Sequence, residues 1–368
     1  MPPVEFRVLA INPGSTSTKF ALYVNGSAAL VKSIRHTDSE LAPFRGRPIL
    51  EQQQYRAAQI EAALREAGHD VHELHAVVGR GGLLPPVASG TYLVNEDMLE
   101  ELRLARRGEH ASNLGAFLAH QLAQQANAQA YIVDPVSVDE WPEHTRLSGS
   151  ALLERQCLSH ALNCKAVAKR FAREHGKAYE SLRLVVAHLG SGISVSAHES
   201  GRMVDVTNSR EEGAFSTERA GGVPIMQLVD LCFSGRYTKS QVEVLLFREG
   251  GLYSYLGTKD LVEVEGRMES GDLQAKKVFD AMVYQIAKEI GAMAAALHGR
   301  VYAVLLTGGM AHSDRLVAGL QSYVSWIAPV IRYAGEDELQ ALAEGALRVL
   351  RHEEEPRILT PSGEMLTI

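Results

Sequence analysis

Arg7-Val8-Leu9-Ala10-Ile11-Asn12-Pro13-Gly14-Ser15-Thr16-Ser17-Thr18-Lys19-Phe20-Ala21-Leu22-Tyr23-Val24 is the stretch that decides the fold. Residues 7–11 are a short apolar run, residues 12–17 are dense in turn formers, and residues 20–24 are a second apolar run. Asn25-Gly26, the strongest two-residue hairpin signal, follows, and Ala29-Leu30-Val31 returns. The stretch predicts strand, turn, strand, turn, strand. The same order recurs in the second half. Leu184-Val185-Val186-Ala187 leads into His188-Leu189-Gly190-Ser191-Gly192, then Ile193-Ser194-Val195-Ser196, a turn at Glu199-Ser200-Gly201, and Met203-Val204-Asp205-Val206. Two meanders, each opening on a Gly/Ser turn, read as an internal duplication.

Further matches follow in the same order. Ala76-Val77-Val78 runs into Gly79-Arg80-Gly81-Gly82, and Ala303-Val304-Leu305-Leu306 runs into Thr307-Gly308-Gly309. Helical stretches at 114–126 and 313–325 then precede Tyr131-Ile132-Val133-Asp134 and Pro329-Val330-Ile331. The repeat unit is domain-sized, so the pattern predicts two related domains and not a solenoid. Strands alternating with helices give an α/β chain, each domain a mixed sheet flanked by helices. The expected domains are 1–150 and 151–335, with the boundary near 148–155. A closing helix within 336–351 would let 336–368 complete the first domain. Between 273 and 297, Phe279, Met282, Val283, Ile286, Ile290, Met293 and Leu297 recur at helical spacing, which predicts a helix buried against a sheet.

The 368 residues have room for two ordinary domains. Hydrophobic residues at 46% and charged residues at 22% match a soluble globular chain. A net charge of −7 argues against nucleic acid as a partner, which surplus Lys and Arg would meet. An anionic small molecule remains compatible, because a few local arginines can hold one. The opening, through Arg7, lacks a basic patch followed by an apolar core, so no secretion signal is expected. No apolar run reaches the roughly 20 residues a membrane span needs. Cys157, Cys164 and Cys232 lack paired zinc spacing and read as reduced structural thiols of a cytoplasmic protein.

A Gly/Ser/Thr turn between strands exposes backbone N–H groups and hydroxyls that bind phosphate oxygens. An ordinary hairpin explains either turn alone; two at equivalent places suggest a two-sided phosphate clamp, with Lys19 adding a charge. Neither turn is a P-loop, since no G-x-x-x-x-G-K-[ST] occurs and the chain enters a strand. Gly308-Gly309 before Met310-Ala311 can let a flat ring approach the backbone, or can be a plain helix entry. Asp134 ends a strand, where a carboxylate can hold Mg2+, although Asp before Pro is also a common turn. Arg80, His110, His160 and Arg219 are candidate cations for a moving phosphoryl group.

At these residues the chain resembles a known family. Residues 9–19 are similar to the opening signature of acetate and butyrate kinases, and His188-Leu189-Gly190-Ser191-Gly192 to their second signature. Glu218-Arg219-Ala220-Gly221-Gly222 resembles the arginine segment that follows, and the likeness runs from Arg7 to about Arg351. It implies the actin-like ATPase superfamily, whose two duplicated domains close over a nucleotide in a cleft. By this resemblance Asn12, Ser15, Thr16, Ser17 and Lys19 line the acceptor and phosphate side. His188, Gly190, Ser191 and Gly192 meet the nucleotide phosphates, and Gly308, Gly309, Met310 and Ala311 meet the adenosine of ATP or ADP. Asp134 orients Mg2+ and substrate, with Asn12 beside it and an acid from Glu336, Asp337 or Glu338 assisting. His160 and Arg219 stabilise the phosphoryl group, and Arg80 is the candidate for the carboxylate.

Length and the wording around Gly79-Arg80-Gly81-Gly82-Leu83-Leu84 favour the butyrate branch. Gly79 and Ser159 stand where acetate kinases carry valine and phenylalanine, which should leave room for a longer acyl chain. The resemblance thus implies phosphorylation of butyrate or isobutyrate by in-line transfer, in a homo-oligomer built from dimers. Acetate or propionate is the alternative substrate. A sugar kinase of the same superfamily would press Asp134 into service as a base. A repressor would need a helix-turn-helix, for which a first strand starting at Arg7 leaves no space, and a chaperone would need a peptide-binding domain.

Overall fold

The apolar runs of the first half become β1 (Arg7–Pro13), β2 (Ser17–Val24), β3 (Ser27–Arg35), β4 (Ala76–Arg80), β5 (Thr91–Leu93) and β6 (Gln129–Val133). Those of the second half become β7 (Arg183–Leu189), β8 (Ile193–Glu199), β9 (Arg202–Val206), β10 (Ala303–Gly308) and β11 (Val330–Ala334). This computed structural model describes residues 5–360 and the backbone of 365–367, so part of the opening read above for a secretion signal lies outside it. The chain divides into two units, residues 1–139 with 337–368 and residues 140–336. The first turning point thus lies at 139–140, ahead of the 148–155 expected from sequence.

The second unit's sheet runs β11-β10-β7-β8-β9, and the first contains the same series, β6-β4-β1-β2-β3. In both, three strands form an antiparallel meander and two more add in parallel to its first strand. Even the irregularity repeats, with register shifts between Leu22 and Tyr23 and between Ala197 and His198. The first sheet continues past β6 through β5 and the strands Arg357–Leu359 and Met365–Thr367, reaching eight strands.

Local chemistry accounts for the hairpins. Asn25 and Gly26 have φ of 51° and 93°, and Ser200 and Gly201 have 52° and 75°. Two successive positive φ values give the turn whose twist matches that of the flanking strands. The helix Leu273–Ala296 buries the expected stripe, Phe279, Met282, Val283, Ile286, Ile290 and Met293, in the second unit's core. The helix Glu338–Leu350 returns to the first unit. A Cβ at Gly345 would lie 2.4 Å from Val133 Cγ2, so this helix sits almost directly on β6. Its first turn thereby reaches the carboxyl ends of the parallel strands, where open α/β sheets bind their ligands.

Candidate functional site

In the first unit the carboxyl ends of β1, β4 and β6 bring Asn12, Arg80 and Asp134 to one sheet edge. Glu338 Oε2 accepts from Arg80 Nη1 at 2.9 Å and from Asn12 Nδ2, and Arg80 Nη1 also reaches Asn12 Oδ1 at 3.5 Å. Glu338 is buried, so this ion pair is largely shielded from water. Asp134, also buried, stands at φ 38°; its Oδ1 accepts from Ser89 Oγ at 2.6 Å and Gly90 N at 2.8 Å. Ser15, Thr16 and Lys19 are exposed, with Lys19 directly across from Asn12. Ser17 is half-buried at the start of β2.

In the second unit the structure brings His160 and His188 together as stacked rings, centroids 3.9 Å apart and planes 8° from parallel. Asn163 Nδ2 donates to His188 Nδ1 at 2.9 Å and to Thr307 Oγ1 at 3.1 Å, and Thr307 Oγ1 donates to Gly335 O at 3.1 Å. That chain leaves the proton of a neutral His188 on Nε2, which faces Glu336 Oε1 at 3.3 Å. His160 Nδ1 bonds Ser194 Oγ at 3.0 Å, and Ser194 lies across the strand pair from His188. A Cβ on Gly192 would lie 2.6 Å from Arg219 Nη1, so this turn must be glycine for the guanidinium to rest on it. Arg219 Nη1 donates to Ser209 Oγ at 2.6 Å, while Ser216 Oγ donates to Ser191 O at 2.5 Å. Burial, partly offset by Glu218, lowers the Arg219 pKa from its ordinary value.

The three acidic candidates separate. Glu338 joins Asn12 and Arg80, Glu336 faces His188, and Asp337 stands at the start of the helix and helps raise the pKa of Tyr23. One expectation needs correction. Gly79 leaves no acyl space, because its missing side chain is filled by backbone: a Cβ there would be 2.0 Å from Gly115 O. Met310 and Ala311 are buried in the second core, so of 308–311 it is Gly309 that has open space beside it. Ser159 is buried against Met203 Sδ, and His110 Nδ1 is engaged with Ser112 Oγ at 2.8 Å.

Arg56, Asn163, Thr307 and Ser194 were not singled out from sequence. Arg56 left a signal: it shares a helical face with Ile60 and Ala63, so it is a charge on an apolar stripe. Among the described residues no group of three or more His, Cys, Asp or Glu could hold a metal ion. The donor set at the first edge suits Mg2+ of another kind, which takes one or two carboxylates and completes its shell with substrate phosphates. Among the described residues no helix is long and apolar enough to cross a membrane.

Two equivalent sheet edges, each furnished with a turn, polar side chains and a glutamate, define a duplicated α/β fold of the acetate and propionate kinase type. The crystal structure of Porphyromonas gingivalis acetate kinase matches with TM-score 0.78 at 18% identity, covering 94% of this chain and 100% of that one. A propionate kinase from Francisella tularensis subsp. tularensis SCHU S4 matches at 0.73 and 17%, covering 92% and 98%. Residues 151–321 match the acetokinase family. A probable butyrate kinase of Clostridium botulinum (strain Alaska E43 / Type E3) is 48% identical over 356 residues, 96% of this chain and 100% of that protein. The chain belongs to the acetokinase family and is an enzyme of the kinase class.

Proposed function

We propose that this chain phosphorylates a short-chain fatty acid, butyrate or isobutyrate, with ATP, giving the acyl phosphate and ADP. The near-full-length likeness to the probable butyrate kinase carries the reading. A carboxylate oxygen attacks the γ-phosphorus in line, the bond to the bridging oxygen breaks, and ADP leaves with the electron pair. The acceptor is already an anion near neutral pH, so no general base is required. The same path run backwards makes ATP.

The first unit receives the acid and the transferred phosphoryl group, with Asn12, Ser15, Thr16, Ser17 and Lys19 at its turn. Arg80, anchored by Glu338, presents its remaining guanidinium donors to the carboxylate. The second unit holds the nucleotide: His188, Gly190, Ser191 and Gly192 at the phosphates, and Gly309 with the backbone of 308–311 at the adenosine. Arg219 and His160 stabilise charge on the phosphoryl group. Asn12, Asp134 and Glu338 would hold Mg2+ jointly with the nucleotide; when bound, it neutralises charge on the phosphate oxygens.

Trapping acyl phosphate with hydroxylamine across acids of increasing length and two sugars tests the reading. A four-carbon acid should show the highest kcat/KM. Acetate ranking first would remove the butyrate assignment, and phosphorylation of a sugar alone would remove the acyl kinase. We further infer a homo-oligomer. The helix Ile225–Cys232 buries none of its residues and leaves Ile225, Met226 and neighbouring Phe233 exposed, large apolar side chains of the kind a second copy covers. Sedimentation should show dimers or their multiples, weakened by Phe233→Glu; a wild-type monomer would end that inference. The exposed free thiol of Cys232 suits a reducing cytoplasm.

A further inference from the structure

Arg56 is fully buried on the helix Gln53–Glu66, behind the turn that joins β1 to β2. Its Nη1 donates to Gly14 O at 2.8 Å, Ser17 O at 3.1 Å and Thr18 Oγ1 at 3.0 Å, and its Nη2 donates to Ser15 O at 3.1 Å. Gln52 Oε1 fixes the plane of the guanidinium from the other side, accepting from Nε at 3.0 Å and Nη2 at 2.8 Å. The backbone N–H of His36 takes the one remaining carbonyl, Thr16 O, at 2.9 Å. Four consecutive carbonyls, those of residues 14, 15, 16 and 17, are therefore all held from the protein side.

The consequence appears on the opposite side of the turn. Among the described residues nothing accepts from the amide N–H of Ser15 or Thr16, and the side chains of both residues are exposed. The guanidinium has no carboxylate partner among the described residues; every acceptor around it is a neutral oxygen. Burying a cation without a counter-charge is costly. The charge persists nonetheless: burial lowers the Arg56 pKa only to about 10, still above neutrality. Its neighbour His36 is held below its ordinary pKa, first by its own burial and then by Arg56, so it adds no second charge near neutrality. A buried positive charge behind outward amides and hydroxyls is the field an anion needs in front of it.

We propose that Arg56 is a positioning residue for the reaction: it turns the carbonyls of Gly14, Ser15 and Ser17 inward and supplies the uncompensated charge that makes the outer face of this turn a seat for a phosphoryl anion. This rests on the acyl-kinase reading above. Arg56 touches no substrate and acts through the turn. Lysine at this place could keep the charge, but it could not serve acceptors spread around a planar fork.

The test uses the full chain, with Arg56→Ala and Arg56→Lys, and reads thermal stability, inorganic phosphate affinity by calorimetry, and kcat and KM separately. Arg56→Ala should lose roughly 10²-fold in kcat/KM, the scale of a mispositioned site. Methylguanidinium should restore part of that loss, and methylammonium at equal ionic strength should not. Arg56→Lys should stay folded and bind phosphate more weakly than wild type. The proposal is overturned if Arg56→Ala, corrected for its folded fraction, keeps wild-type kcat/KM. Where Arg56→Ala does not fold, wild-type phosphate affinity in a folded Arg56→Lys overturns it equally. A wild-type protein that makes no acyl phosphate would instead sink the functional reading, and the phosphate titrations would still decide the role of Arg56.

Discussion

The β1–β2 turn and the β7–β8 turn occupy the same place in two copies of one topology, yet they are held by opposite means. Between the paired residues Pro13 and Thr18 the first turn has four residues, 14–17, whereas between Leu189 and Ile193 the second has three, 190–192. The longer turn curls its carbonyls around a cation buried behind it, Arg56. The shorter one has its arginine lying against it, Arg219 on the bare face of Gly192. Asn12 and His188 correspond at the strand ends, and each lies beside a glutamate, Glu338 and Glu336. The duplication thus preserved where the polar groups stand and changed what they are, as expected if one turn seats an acceptor and the other a nucleotide.

The largest expected effect breaks the comparison on the second unit's side. If Arg219 touches the phosphoryl group, Arg219→Ala should lower kcat about 10²–10³-fold with little change in melting temperature. Arg219→Lys should recover little of it. Near-wild-type kcat in the alanine variant would leave the second turn without its cation.

A smaller effect separates two matched glycine pairs. A Cβ would meet Asn113 Oδ1 at 2.5 Å from Gly82 and Leu189 O at 2.4 Å from Gly308, where φ is also 91°, but nothing within 4 Å from Gly309. Gly308→Ala should therefore destabilise by about 2 kcal/mol or more, and Gly82→Ala by a comparable amount. Gly309→Ala should stay within about 0.5 kcal/mol and act instead on nucleotide KM. Urea midpoints check the stabilities, and equal losses at Gly308 and Gly309 would contradict the asymmetry.

A third comparison sets Tyr23 against His198, which follow the matching register shifts in β2 and β8. Burial favours the neutral form of each, raising the Tyr23 pKa to about 12 and lowering that of His198 to about 3. As pH falls from the unfolded histidine value near 6.5 toward 3, the unfolded chain binds a proton at His198 that the folded chain refuses. Stability present above about 6.5 is then lost, by at most about 1.4 kcal/mol per pH unit. As pH rises from about 10 toward 12, the unfolded chain releases the Tyr23 proton first, and stability is lost in that direction too. Urea titrations of His198→Gln and Tyr23→Phe should flatten the acid and alkaline limbs respectively; interchanged effects would refute the assignment.

The meanders, their turns and the buried stripe of 273–297 were legible in the sequence because alternation, Asn-Gly chemistry and helical spacing are local properties. Because the pattern occurred twice, the sequence by itself determined the duplicated α/β architecture. It also located Asn12, Arg80 and Asp134 at strand ends, and His188 and Arg219 in their segments. Tertiary structure alone decided which of these groups meet. Glu338 reaches Asn12 across 326 positions and Arg56 reaches Gly14 across 42, separations over which no spacing rule operates. It also reversed the reading of Gly79, whose lack of a side chain serves the close approach of Gly115 and not a substrate. A glycine looks the same in sequence whether backbone or ligand fills the space beside it. Only packing says which, because the filling atoms come from a distant part of the chain.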